Sequence, residues 1–404
     1  MASEHFHHIL TINSGSSSIK FALYRMGSVE TAVLSGSIGG IGQGSGIFHV
    51  KDGDGRTVLE SHLQPRDHGA ALREIIKWLK SSPAAQHFDS VGHRLVHGGN
   101  RFSLPHLVTP DMMETLDELM PLAPDHLPHE INAIKVFEGS YPDVKQVACF
   151  DTAFHRSMPG IAQIYALPGD LRRQGVLRYG FHGLSYEYIL GELRKEAGVK
   201  ASEGRVVVAH LGNGASMVAV KNGTSMDTTM GFSPAGGLVM STRSGDLDPG
   251  VILYLFREKA LDVPAVNRMV NKEGGLLGVS GISPDMKDLL DAEAENQHAA
   301  EAVDLFCYQA RKFLGAFAAV LGGLDILIFT GGIGENAPSI RRRICENMEF
   351  LGIRLDPIRN DVNAPLISHD HSPTTVRVMK TNEELMIARH TYNLIREQSG
   401  EGKK

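Results

Sequence analysis

Cysteine is scarce in this chain, and Cys149, Cys307 and Cys345 lie far apart. None forms a CxxC or other metal-ligating spacing, so a reduced, cytosolic setting is expected rather than a disulfide scaffold or a zinc site. An excess of positive charge is also absent. The formal net charge of −6 offers nothing for nucleic-acid phosphates to recognise. Long hydrophobic runs are missing too. The uncharged stretch Phe313–Leu324, preceded by Arg311 and Lys312, falls well short of the roughly 20 apolar residues of a membrane span. The start, MASEHFHHIL, lacks the basic segment and apolar run of a signal peptide. No GxSxG elbow, HExxH helix, GxGxxG after an opening strand or GxxxxGK[ST] loop occurs, which disfavours a hydrolase, a zinc enzyme, a Rossmann dehydrogenase and a Walker-type NTPase.

What is present is a chain of 404 residues, too long for one hydrophobic core, so two domains are expected. His8–Asn13 reads as a strand, Ser14–Ser18 as a turn and Ile19–Arg25 as a second strand. The Gly-rich tract 36–55 reads as hairpin and loop. Ala70–Lys80 has helical spacing, as does a segment opening at Asp111, a candidate N-cap. Val144–Phe150 reads as a strand that delivers Asp151 at its end. VVVAHLGNGASMVAVKNG, Val206–Gly223, repeats the grammar of the opening stretch about half a chain later: strand, small-residue turn with an Asn, strand. This weak internal repeat predicts two related halves. ILIFTGGIGENAPSI reads differently, as strand, Gly-rich loop and a helix from about Pro338, a form that suits an anion. Near the C-terminus TNEE, Thr381–Glu384, reads as a capping box with Glu384 at its third position, opening a helix from Glu383 to Arg396. Alternating strands and helices give an α/β class.

Several runs carry candidate chemistry. Small residues in Asn13–Ser18 let backbone and hydroxyls approach a phosphate, with Lys20 adding charge, although a hairpin turn with a surface lysine is the blander alternative. Arg94, in VGHRLVHGG, is placed to grip a carboxylate or phosphate, or to form an ordinary surface ion pair. Asp151, in CFDTAFH, sits where α/β sheets place their ligands and could orient a reacting group, or simply cap the next turn. His182, in RYGFHG, is either a packed histidine or a donor to a phosphoryl group in flight. The irregular, Gly-rich run Gly231–Gly250 presents Arg243, a second candidate clamp. Glu383 has no capping duty and is free to serve a metal ion.

Together, NSGSSSIKF, HRLVHGG, FDTAFH, RYGFHG, HLGNGASM, DTTMGFSP, TRSGDLDPG, LLGVSGISPDM, FTGGIGEN and TNEEL resemble the acetate kinase family (acetate/propionate kinases) of the sugar kinase, actin and heat-shock ATPase superfamily. They run in family order from Asn13 to Leu385. The resemblance implies an α/β fold of two actin-like (ribonuclease H-like) domains, each a mixed sheet flanked by helices, around a central cleft. It places residues 1–153 plus 385–404 in the N-terminal domain and 154–384 in the second. It implies reversible, in-line transfer of the γ-phosphoryl of ATP to acetate or propionate, with Mg²⁺ (or Mn²⁺), in a cytoplasmic homodimer. The catalytic positions would be Asp151, Arg94, Arg243 and His182. Arg94, Val96, Asp125, Phe181 and Pro234 would hold the acid. Asn13, Ser16, Ser18, Lys20, His210, Gly212, Asn213, Gly214, Asp285, Gly331, Gly332, Ile333, Gly334 and Asn336 would hold the nucleotide, with Asn13 and Glu383 at the metal. The chain departs from the family pattern where LAPLHNP becomes Leu122-Ala-Pro-Asp125-His126-Leu127-Pro128, and where HGTSH becomes His182-Gly-Leu184-Ser-Tyr186. A carboxylate at Asp125, costly to bury against an acyl methyl group, leaves open a more polar small acid, or a non-catalytic ATP-binding protein.

Overall fold

The computed structural model describes residues 6–15 and 17–400. Ser16, expected in the first phosphate turn, lies outside the described residues. The chain divides into two compact units, Met1–Ala153 with Asn382–Lys404, and Phe154–Thr381.

The first unit holds β1 (His7–Ser14), β2 (Ser18–Met26), β3 (Thr31–Gly39), β4 (Gly46–Asp52), β5 (Thr57–Leu63), β6 (Ser90–Leu95), β7 (His106–Leu107) and β8 (Lys145–Phe150). They form one sheet in the order β5-β4-β3-β2-β1-β6-β8-β7. The first five strands pair antiparallel; β6 runs parallel to β1, and β8 parallel to β6. The second unit holds β9 (Val206–Leu211), β10 (Ala215–Lys221), β11 (Thr224–Thr228), β12 (Ile326–Thr330) and β13 (Thr375–Val378), in the order β11-β10-β9-β12-β13. Its pairing copies the first: an antiparallel three-stranded meander, then two parallel strands. The internal repeat is therefore a repeat of topology, β3-β2-β1-β6-β8 matching β11-β10-β9-β12-β13.

Residue patterning explains the layers. On β1, Leu10 and Ile12 join a core with Phe21 and with Leu72, Ile75 and Leu79 of the helix His68–Ser81. Ile9 points the other way, with Ala22, Tyr24 and Ala388 of the helix Glu383–Ser399. Period-two alternation thus sends adjacent residues into cores on opposite faces. Every residue of β9, VVVAHL, is buried, as a strand covered on both sides requires.

Three local expectations change. The helix expected to open at Asp111 spans Pro110–Leu119, and Thr109 caps it by accepting the Met112 amide, because Pro110 takes the first helical position. The capping box does not form: Asn382 caps the last helix by accepting the Leu385 amide at 2.9 Å, and the Thr381 hydroxyl pairs with Ser185 instead. Glu384 therefore has no capping duty. GGIGEN is not a loop but a short helix, Gly331–Asn336, followed by Pro338–Cys345. The Glu335 carboxylate closes that turn by accepting the Gly331 amide at 3.0 Å, which removes this amide from the anion-binding role expected of it. The Gly-rich tract 36–55 carries paired strand, β3 running on to Gly39 and β4 from Gly46.

Among the described residues no helix is long and apolar enough to cross a membrane. One glycine decides how the last helix docks. A Cβ at Gly92, on β6, would lie 2.3 Å from Thr391 Oγ1 and 2.6 Å from Ile387 Cγ2. Gly92→Ala is expected to lower the unfolding free energy by about 1–3 kcal/mol through overpacking, read as a lower urea midpoint at unchanged slope. An unchanged midpoint would show that the helix yields freely.

Candidate active site

In the first unit the parallel pairing of β6 with β8 sets Leu95 beside Phe150, so Arg94 and Asp151 emerge together at the strand ends. Asp151 Oδ2 accepts from Arg94 Nε at 3.1 Å and from Nη2 at 2.5 Å. Nη1 lies 3.4 Å from Oε1 of Glu130, on the helix Leu127–Ser140. Glu130 Oε2 in turn accepts the Val96 amide at 2.9 Å. Asp151 and Glu130 are fully buried side chains, whereas the Arg94 side chain keeps 13% exposure. Asp151 Oδ1 is buried without a partner.

Close by, Asn13 at the end of β1 donates through Nδ2 to Glu383 Oε2 at 3.2 Å and to Glu384 Oε1 at 3.4 Å. Burial first, then the charges of Asp151 and Glu384, push the Glu383 carboxyl up to about 7 against the pull of Arg94 and Lys20. Carboxylate and amide oxygens gathered where negative charge is in surplus suit a hard divalent cation, and Mg²⁺ commonly takes only one or two protein carboxylates. Asn13 and Glu383 therefore fit such an ion. Among the described residues no group of three or more His, Cys, Asp or Glu forms a dedicated metal cage. The turn after β1 closes through the Gly15 amide on the Ser18 carbonyl at 2.8 Å. His68 Nε2 bonds the Gly15 carbonyl at 2.7 Å, and its ring stacks on His129 at 4.0 Å. Lys20 is exposed on β2.

In the second unit His182 precedes the helix Gly183–Ala197 at φ +60. Its Nδ1 bonds Ser216 Oγ at 2.8 Å, and the same hydroxyl bonds Tyr186. The His182 ring stacks on His210 at 4.3 Å, and His210 Nδ1 is held by Ser185 at 2.8 Å. Gly214 brings the predicted groups together: a Cβ there would lie 3.3 Å from His182 Nε2 and 3.5 Å from Arg243 Nη1. Arg243 Nη1 also donates to the Pro234 carbonyl at 3.3 Å. Asn213 anchors the irregular run, its carbonyl accepting the Ser241 amide. Gly212 meets the short helix, a Cβ there lying 3.9 Å from the Gly332 amide, while Gly331, at φ +77, and Gly334 pack on Leu211. Asn336 Nδ2 donates back to the Gly332 carbonyl, bridging the turn that holds Ile333.

Some expected residues fall elsewhere. Asp285 is exposed and caps the helix Met286–Ala292 through the Lys287 amide. Asp125 is exposed, so the burial cost expected of its carboxylate does not arise. Val96 and Phe181 are buried, the latter offering its carbonyl to His155. Leu184 and Tyr186 are core residues, Tyr186 packing with Val206, Val208 and Val218. Sequence reading missed Glu130, His68, Ser216 and Glu335. Only Glu130 left a signal: a carboxylate amid Leu127, Ile131, Ile134 and Phe137 on the apolar stripe of its helix.

Residues 8–389 match the sequence profile described as the acetokinase family. The chain belongs to that family. An acetate kinase of Rhodopseudomonas palustris is 47% identical over 395 residues, covering 96% of this chain and 98% of its relative. One from Methylocella silvestris is 45% identical over 398 residues, covering 96% and 98%. Among solved structures, Porphyromonas gingivalis acetate kinase superposes with a TM-score of 0.86 at 37% identity, over 96% of this chain and 100% of that one. A propionate kinase from Francisella tularensis gives 0.88 at 35%, over 96% and 99%. As an acetokinase the chain is a phosphotransferase with a carboxyl acceptor and ATP as co-substrate, on a fold of two actin-like α/β domains. These likenesses do not favour a kinase of a more polar acid or a non-catalytic ATP-binding protein.

Because Ser216 fixes the ring of His182, Ser216→Ala is expected to lower kcat by roughly tenfold with little change in the KM for ATP. Steady-state kinetics check this; an unaltered kcat would show that other contacts suffice to aim the ring.

Proposed function

We propose that this acetokinase moves the γ-phosphoryl of ATP reversibly, and in line, onto acetate or propionate, giving an acyl phosphate and ADP. The observation that carries the assignment of residues is the clamp on Arg94. A guanidinium has five N–H donors, and Nε, one on Nη2 and one on Nη1 are committed to Asp151 and Glu130. One N–H remains on each terminal nitrogen, available to an anion.

The acceptor is ionised at neutral pH, since an ordinary carboxyl titrates near 4. No strong base is needed, and Asp151, already tied to Arg94, orients the guanidinium. The barrier lies in bringing anions together and in carrying charge on the moving phosphoryl. Arg94 serves the acid. Arg243 and His182, held together across Gly214, serve the phosphoryl. Val96 and Asp125 of the first unit, and Phe181 and Pro234 of the second, are the residues we assign to the acyl group. The turn from Asn13 to Lys20, with Ser16 and Ser18, and the turn His210–Gly214 serve the nucleotide phosphates; Gly331–Asn336 and Asp285 serve its adenosine. A Mg²⁺ or Mn²⁺ ion at Asn13 and Glu383 would neutralise phosphate charge. A cytoplasmic homodimer completes the reading. It is supported by three buried free cysteines and by exposed Val251, Leu253, Tyr254 and Phe256 on the helix Pro249–Glu258, which buries no residue within the chain.

Acyl phosphate trapped as hydroxamate should form only when ATP, Mg²⁺ and acetate or propionate are all present. Asp151→Asn and Arg94→Lys should each lower kcat by about 10²–10³-fold. ATP binding without acid-dependent hydroxamate from wild type would sink the proposal.

A further inference from the structure

The Arg94 clamp has one carboxylate too many. Asp151 alone, at 3.1 and 2.5 Å, matches the charge of the guanidinium. Glu130 sits on the other side, at 3.4 Å from Nη1, longer than the ~2.7–2.9 Å usual for an ammonium-type N–H on a carboxylate. Its own best bond is to a neutral group, the Val96 amide. If both carboxyls were ionised, the cluster would carry a net negative charge in a buried place. A substrate carboxylate would then bring a third anion to a single cation, at a high desolvation cost.

We propose that Glu130 is a positioning residue that must hold a proton for Arg94 to accept the anionic acid, making acid binding a proton-linked step. This rests on Arg94 being the acid's partner, as set out above. With the proton on Oε1, Glu130 still accepts the Val96 amide through Oε2, and only its long 3.4 Å contact to Nη1 is given up as the surplus charge is removed. The charged groups that face Glu130 are Arg94 on β6 and Asp151 just beyond β8. Burial dominates and pushes the Glu130 carboxyl up to about 8; Arg94 and the Val96 amide pull it down, and Asp151 pushes it further up. The sign follows. Below about 8 the proton is in place and the acid binds; above it, each acid molecule bound must first recruit a proton. Because Glu130 faces Arg94, the proposed partner of the acid, the effect belongs to the acid's KM.

The test is the KM for acetate between pH 6.5 and 9.5, from ADP release at saturating ATP and Mg²⁺. In wild type it should rise above about pH 8, by up to about tenfold per pH unit. Glu130→Gln, a permanent mimic of the neutral acid, should flatten that alkaline rise. Parallel profiles in the two proteins would overturn the inference. A measurement on wild type alone covers the case of a misfolded variant. At pH 8.5, the apparent heat of acetate binding in buffers of different ionisation enthalpy should reveal proton uptake, and no uptake would overturn it. Absence of acid-dependent ADP release at every pH would instead overturn the acetokinase activity assigned above.

Discussion

A single guanidinium held inside a protein must have its charge answered, and here the answer organises the first unit. Arg94 can stay at the end of β6 only because β8 runs parallel beside it and delivers Asp151 at the same level. The same requirement recruits Glu130, which ties the helix Leu127–Ser140 both to the arginine and to the backbone of Val96. Removing one member of such a cluster exposes the full penalty of the charge left behind. The clamp is thus structural support and chemical equipment at once, and its surplus carboxylate makes it sensitive to protons.

The second unit reaches a related end by a different device. Its sheet repeats the topology of the first, yet its candidate groups come from a helix start and an irregular run: His182 and Arg243 both approach the one backbone position of Gly214, in the turn after β9. Hydroxyls then hold the imidazoles, Ser216 on His182 and Ser185 on His210. A duplicated scaffold therefore supports two unlike sets of side chains, because what repeats is strand order and what varies is the turns and helices attached to it.

Some of this was legible in the chain and some was not, for physical reasons. Arg94, Asp151 and Asn13 could be picked out because each lies at or just past the end of a short apolar strand, where sheets expose their ends. The partners that hold them come from far along the chain, as with Asn13 and Glu383, or from a helix whose apolar stripe hides a carboxylate, as with Glu130. Local rules failed where a long-range partner outbid them. Thr381 gave up its capping position because Ser185 claimed its hydroxyl, and Asn382 took over. GGIGEN, in contrast, is helical with a partner of its own, Glu335 taking the Gly331 amide four residues away.

The sequence by itself determined the strands around the two small-residue turns, the half-chain repeat and the family, since alternation, glycine turns and ordered motifs are properties of neighbours along the chain. Only the tertiary structure decided which carboxylates stand against Arg94, that Asp125 stays in solvent, and that His182 and Arg243 share one glycine. Charge balance is a sum over groups close in space, and nothing in the order of residues along a chain performs that sum.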